Sequence, residues 1–179
     1  MNSTVRAFLT ATAIAVAVYC FVTWHPEGLK VGDAAPSFSL QDETQKQVSL
    51  ADYQGKLLIV HFWATWCGTC MQEFPEFNDM AARYHDNPGI AILGISLDAT
   101  GDNNGWKAIQ TLNRKKTIQF KVLMDTKGAV ADQFGTYALP ETYIVSPDGR
   151  IIRKFIGAQD WNSTVMISYL NSKISEYSK

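Results

Sequence analysis

Two cysteines three positions apart carry the clearest chemistry in the chain, within Trp66-Cys67-Gly68-Thr69-Cys70. An apolar run precedes them and a helical pattern follows, so the pair falls at a helix start. Cysteines at that spacing can close a disulfide across the first turn. The unsatisfied N–H groups and positive dipole end of the helix stabilise an anion there. A free thiol ionises near pH ~8.5, and such a position lowers that value. Cys67 therefore stands as an attacking thiolate. Cys70, one turn inside, is placed to resolve the mixed disulfide. Two rival uses of the pair are weaker. A zinc site would need a second pair or histidines at ligand spacing, and His25, His61 and His85 are scattered. A purely structural bridge over so short a loop removes little entropy from the unfolded chain.

Other residues lie where they could act on the pair. Glu73 is three residues beyond Cys70 and so near it on a helix. It could raise thiol pKa values by charge repulsion or relay a proton. The bland alternative is a solvated carboxylate favoured by the helix dipole. His61, on the preceding strand, could exchange a proton near Cys70, although a hydrogen-bonded core histidine is the commoner case. Trp66 is placed beside the pair as an apolar docking surface, and Trp63 reads as core. Pro140 on local grounds alone reads as an ordinary trans turn proline.

The elements that must position these residues follow from hydropathy. Ser37–Leu40 and Gln47–Leu50 alternate in polarity around the polar 41–46 segment, which predicts a hairpin. Leu57–Trp63 and Ile90–Ser96 are nearly continuous apolar runs, as in strands buried on both faces. Between them Phe74, Phe77, Ala81 and Tyr84 recur at helical spacing, through about Asp86. Helical composition returns over Asn103–Lys116 and Gly128–Phe134, on either side of a short strand at Phe120–Met124. Thr142–Val145 and Ile151–Ile156 are strands joined by the turn Ser146-Pro147-Asp148-Gly149. Ile167, Leu170, Ile174 and Tyr177 mark a terminal amphipathic helix. The alternation of strand and helix predicts an α/β layer fold with a partly parallel sheet.

The 179 residues are 46% hydrophobic and 18% charged, enough to bury one ordinary core and contrary to wholesale disorder. A net charge of −1 excludes bulk electrostatic capture of nucleic acid. Three cysteines are too few for a disulfide-stapled scaffold. Ala7–Trp24 is an uncharged run of 18 residues. As a helix it is ~27 Å long, just enough to span a bilayer core. Arg6 before it favours a cytoplasmic N-terminus, with the remainder outside the cytoplasm. An uncleaved anchor is favoured over a signal peptide, because cleavage after the Ala13–Ala17 repeats would leave Val18–Val22 as an apolar end. Cys20 reads as inert within that helix. The resulting division is an anchor or signal peptide over 1–25, a linker over 26–34 and a domain over 35–179.

Several segments together resemble the thioredoxin superfamily. More narrowly, the chain is similar to its membrane-anchored, extracytoplasmic thiol-disulfide oxidoreductases of the TlpA/ResA/DsbE type. Val60–Cys70 looks like the active-site strand and elbow. Glu73-Phe74-Pro75 matches a downstream Glu-x-Pro pattern with a helix-kinking proline. Ala138–Tyr143 is similar to the family's cis-proline loop. The resemblance covers about Gly32 to the C-terminus. It implies a central mixed sheet flanked by helices, with an added N-terminal hairpin and a helical insert near Asn103–Lys116. It implies a cis bond before Pro140, against a general cis rate of ~5%. It further implies that Leu139 offers its backbone to an extended substrate and that Trp66, Gly68 and Thr69 help bind it. Glu73 would tune the pair. His61 departs from the pattern, since thioredoxins often carry a buried Asp on that strand.

The activity implied is protein-disulfide reduction by Cys67 and Cys70, needing no cofactor and no metal. Cytochrome c maturation is the leading pathway, with apocytochrome c cysteines as substrate and an integral-membrane electron donor. The protein would sit in the cell membrane with its domain on the periplasmic or extracytoplasmic side. A peroxiredoxin-like peroxidase is a rival, although it expects an isolated cysteine in a Thr-x-x-Cys setting, which Thr65-Trp66-Cys67 does not supply. A redox-inert binding or chaperone module is another, against which the intact cysteine pair speaks.

Overall fold

The computed structural model describes residues 28–99 and 105–178. The anchor expected at Ala7–Trp24, with Cys20, lies outside the described residues. Among those residues no helix is long and apolar enough to cross a membrane.

The run Leu57–Trp63 is strand β3, counting β1 as Ser39–Gln41 and β2 as Gln47–Ser49, and all seven of its residues are buried. Side chains alternate faces along a strand, so an uninterrupted apolar run needs cover on both sides. Leu57, Ile59 and Trp63 join one core cluster, and Leu58, Val60 and Phe62 join another. The first is closed by Phe74, Phe77 and Met80 of helix α1 (Gly68–Arg83) and by Leu170 of the terminal helix Thr164–Tyr177. The second is closed by Phe38 and Val48 of the hairpin region and by Val130 and Phe134 of the short helix Ala129–Phe134.

Strands β4 (Ile90–Ser96), β5 (Lys121–Met124), β6 (Glu141–Val145) and β7 (Ile151–Ile156) complete a seven-stranded sheet in the order β2-β1-β5-β4-β3-β6-β7. β3, β4 and β5 are parallel, joined by α1 and by α2 (Gly105–Lys115). Parallel neighbours require such crossovers. β6 returns antiparallel to β3, with Thr142 opposite His61, so the loop before β6 arrives at the same end of the sheet as the cysteines. The expected mixed sheet, hairpin and helical insert are all present. The Ser146–Gly149 turn closes β6 onto β7, with Gly149 in the left-handed region at φ 83°. Gly32 and Ala35 bond backbone to backbone with Ile151 and Gly149, so part of the stretch read as linker is tied to the domain.

Gly94 on β4 lies opposite His61. A Cβ there would overlap the Phe120 ring and the Trp63 indole. Its absence lets Trp63, Phe74, Phe77 and Phe120 pack as an aromatic group beneath the start of α1, with ring centroids 5.1–6.1 Å apart. Pro75 lies inside α1. It donates no N–H to the carbonyl four residues back, which weakens the helix one turn beyond Cys70.

Candidate active site

Trp63 ends β3, and four residues, Ala64 to Cys67, turn the chain into α1. That turn is held from beneath by Asp98, which is 2% exposed. Its carboxylate accepts the Thr65 N–H at 3.0 and 3.1 Å, the Thr65 hydroxyl, and the Ser96 hydroxyl at 2.7 Å. A buried carboxylate needs such donors, and here they fix the backbone two residues before Cys67. The Thr65 hydroxyl is thereby spent on Asp98. Nothing in the local sequence marks Asp98 as part of the site, because it lies 33 residues along the chain.

Cys67 and Cys70 are joined as a disulfide, with Cα atoms 5.2 Å apart. Cys67 is the N-cap of α1 and its Sγ accepts the Cys70 N–H at 3.2 Å. An N-cap acceptor satisfies one of the helix's orphan donors and sits at the positive end of its dipole. The same geometry stabilises negative charge on Cys67 once the bridge is reduced. Cys67 is 8% exposed and Cys70 2%, so Cys67 is the less deeply buried of the two.

Glu73 is buried rather than solvated. Its Oε1 accepts the indole N–H of Trp161 and the Gln159 N–H at 3.2 Å, while Oε2 is buried with no partner among the described residues. Loss of hydration pushes its carboxyl up to about 7, partly opposed by the Trp161 and Gln159 bonds. Glu73 can therefore give or take a proton near neutral pH. Trp161 is itself fully buried, edge-on to Phe77 and Phe155. It too escaped sequence reading, being 88 residues from its partner.

His61 is a core residue. Its Nδ1 lies 2.9 Å from the Thr142 hydroxyl and its ring stacks on Phe77 at 4.0 Å. Burial drives its pKa down to about 3, so the imidazole is neutral at physiological pH.

The Leu139–Pro140 bond is cis, as the resemblance implies. Pro140 is buried and its carbonyl accepts the Gly157 N–H at 2.8 Å. Leu139 is half-buried and faces the cysteine turn, for its carbonyl accepts the Thr69 hydroxyl at 3.2 Å. Trp66 is 60% exposed and Gly68 and Thr69 are exposed, which leaves an open surface around Cys67. Behind the loop, fully buried Glu141 pairs with Lys154 at 2.7 Å and accepts the Tyr143 hydroxyl. Burial, reinforced by that carboxylate, raises Tyr143 to about 12. Among the described residues, no group of three or more His, Cys, Asp or Glu could hold a metal ion.

A family model described as AhpC/TSA matches residues 31–154. The thiol-disulfide oxidoreductase ResA of Oceanobacillus iheyensis is 32% identical over 153 residues, covering 82% of this chain and 77% of that one. ResA of Bacillus subtilis is 26% identical over 159 residues, covering 89% and 84%. Among solved structures, the thiol:disulfide interchange protein DsbE from Chlorobium tepidum superposes with a TM-score of 0.70 at 27% identity, covering 82% of this chain and 99% of that one. Together with the paired cysteines at the head of α1, these likenesses show that the chain belongs to the AhpC/TSA family, as a thiol-disulfide oxidoreductase of thioredoxin-like fold.

Proposed function

We propose that this oxidoreductase works as a protein-disulfide reductase on the extracytoplasmic face of a membrane. The observation that carries the reading is the asymmetry of the pair. Cys67 caps the helix and is the less deeply buried of the two, whereas Cys70 is shut in three residues before Glu73, a buried carboxyl pushed up to about 7.

The reduced enzyme starts with Cys67 as thiolate. Its sulfur attacks one sulfur of a substrate disulfide. The substrate S–S bond breaks, and the leaving sulfur departs as a thiolate that takes a proton from water. Glu73 carboxylate accepts the Cys70 proton. Cys70 sulfur then attacks Cys67, the mixed disulfide breaks, and the second substrate sulfur leaves as a thiolate that takes up the proton held on Glu73. The enzyme ends as the Cys67–Cys70 disulfide, oxidised by two electrons, and the substrate ends as a dithiol. Trp66, Gly68, Thr69 and Leu139 lie around Cys67 and would receive an extended peptide, with Leu139 supplying backbone edge. His61, neutral and hydrogen-bonded, supports the strand rather than carrying protons. The cycle uses no cofactor beyond the cysteines.

The uncharged Ala7–Trp24 run supports anchoring to the cell membrane, with the domain in the periplasm or its equivalent. An integral-membrane dithiol donor would restore the reduced pair. Apocytochrome c cysteines are the proposed substrate, on the strength of the TlpA/ResA/DsbE resemblance. Trapping thiols in growing cells tests the direction. A mostly reduced Cys67–Cys70 pair is expected, and a mostly oxidised pair would point to a disulfide donor instead. Peroxide turnover by the soluble domain would replace the reading with a peroxidase one.

A further inference from the structure

The Thr69 hydroxyl lies between two groups of the site. It is 3.2 Å from the Leu139 carbonyl, to which it donates, and 3.3 Å from Cys67 Sγ. A threonine hydroxyl has one proton to give. In the disulfide state Cys67 has no S–H and its sulfur is only a weak acceptor, so the carbonyl holds that proton.

Reduction changes the competition. A dithiol donor passes two electrons to the bridge by exchange and becomes a disulfide itself. The products here are a Cys67 thiolate, a Cys70 thiol and one released proton. The thiolate is a charged acceptor, and hydrogen bonds to charged acceptors are about twice as strong as neutral ones. The Thr69 proton then turns to Cys67, and the Leu139 carbonyl loses its partner. Leu139 precedes Pro140 at the edge of the open surface, where an extended peptide would pair.

We infer that Thr69 is a positioning residue that couples redox state to docking. In the reduced enzyme it stabilises the Cys67 thiolate and uncovers the Leu139 carbonyl for an incoming substrate strand. In the oxidised enzyme it covers that carbonyl, which favours release of the reduced product. The inference rests on the reductase reading, since only a reductase needs its substrate to dock on the reduced form.

Thr69→Val keeps the branched shape at an exposed position and removes the hydroxyl, and Thr69→Ser keeps the hydroxyl. Two measurements are made on the full-length protein in detergent micelles. The pKa of Cys67 is read from thiolate absorbance, and the Leu139 carbonyl carbon is followed by NMR in both redox states. Thr69→Val should raise the thiol pKa by about one unit, and Thr69→Ser should restore it. The Leu139 resonance should move on reduction of the wild-type protein and stay near its reduced position in both states of Thr69→Val. An unchanged thiol pKa in Thr69→Val overturns the inference, as does a Leu139 shift on reduction that is equal in wild type and variant. Insulin reduction by the wild-type protein, run in parallel, judges the reductase reading separately. A redox-dependent Leu139 signal without insulin turnover keeps the switch and rejects the reading.

Discussion

Trp161→Phe isolates how Glu73 is tuned. The substitution keeps a buried aromatic ring against Phe77 and Phe155 and removes the indole N–H that bonds Oε1. Only the Gln159 N–H, at 3.2 Å, then remains on the carboxylate. A hydrogen bond to a charged group contributes about 1.5–3 kcal/mol, and one pKa unit is about 1.36 kcal/mol. The bond favours the ionised form, so its loss should raise Glu73 by about 1–2 units from its value of about 7. A 1.5-unit rise would cut the ionised fraction at about pH 7.5 roughly eightfold. If Glu73 carboxylate accepts the Cys70 proton, resolution of the mixed disulfide should slow by a similar factor. Side-chain carboxyl NMR of selectively labelled protein gives the midpoint directly, with Glu73→Gln identifying the resonance. Rapid-quench analysis of the mixed disulfide gives the resolving rate. A midpoint that stays put or falls refutes the electrostatic argument. A raised midpoint with an unaltered resolving rate removes Glu73 from the proton path.

The stability of the wild-type protein should vary with pH through two opposed groups. Glu73 has a raised native pKa, so its contribution falls as pH rises from 4.5 to about 7. His61 has a lowered one, so its contribution falls as pH drops from 6.5 towards 3. Between 4.5 and 6.5 the two slopes offset each other, and Glu73→Gln should unmask a loss of about 1.4 kcal/mol per pH unit on acidification, read from urea midpoints. Asp98→Asn turns one acceptor of the elbow into a donor facing other donors. It should cost about 1–3 kcal/mol of stability and slow disulfide reduction, with wild-type stability and rate as the contrary result. Cys70→Ser should accumulate the mixed disulfide on Cys67 and Cys67→Ser should form none, as mass spectrometry of trapped complexes would show. Adducts on Cys70 instead would reverse the assigned roles.

Much of the architecture could be read because its signals are local. Leu57–Trp63, Ile90–Ser96 and Ile151–Ile156 are strands at their expected bounds, since a continuous apolar or alternating run is punctuated by turn residues on both sides. Helix ends were less sharp. The first helix stops at Arg83 rather than near Asp86, because Tyr84 and His85 bond three residues back and tighten the final turn. Phe120 is buried but precedes its strand, since apolarity reports burial and not pairing.

The cysteine pair, its helix N-terminus and the proline before β6 lie in short contiguous stretches, so sequence alone located the redox chemistry and the elements that present it. The environment of that chemistry came only with tertiary structure. Whether Glu73 was a solvated carboxylate or a buried one depended on Trp161 and Gln159, which arrive from after β7. The state of His61 depended on Thr142 and Phe77 closing over it from β6 and α1. Asp98 entered the site because β4 runs parallel beside β3 and ends where the elbow begins. Residue type determines which reaction a group can perform. Its pKa, tautomer and partners are set by desolvation and hydrogen bonds from chain segments that only folding brings within reach.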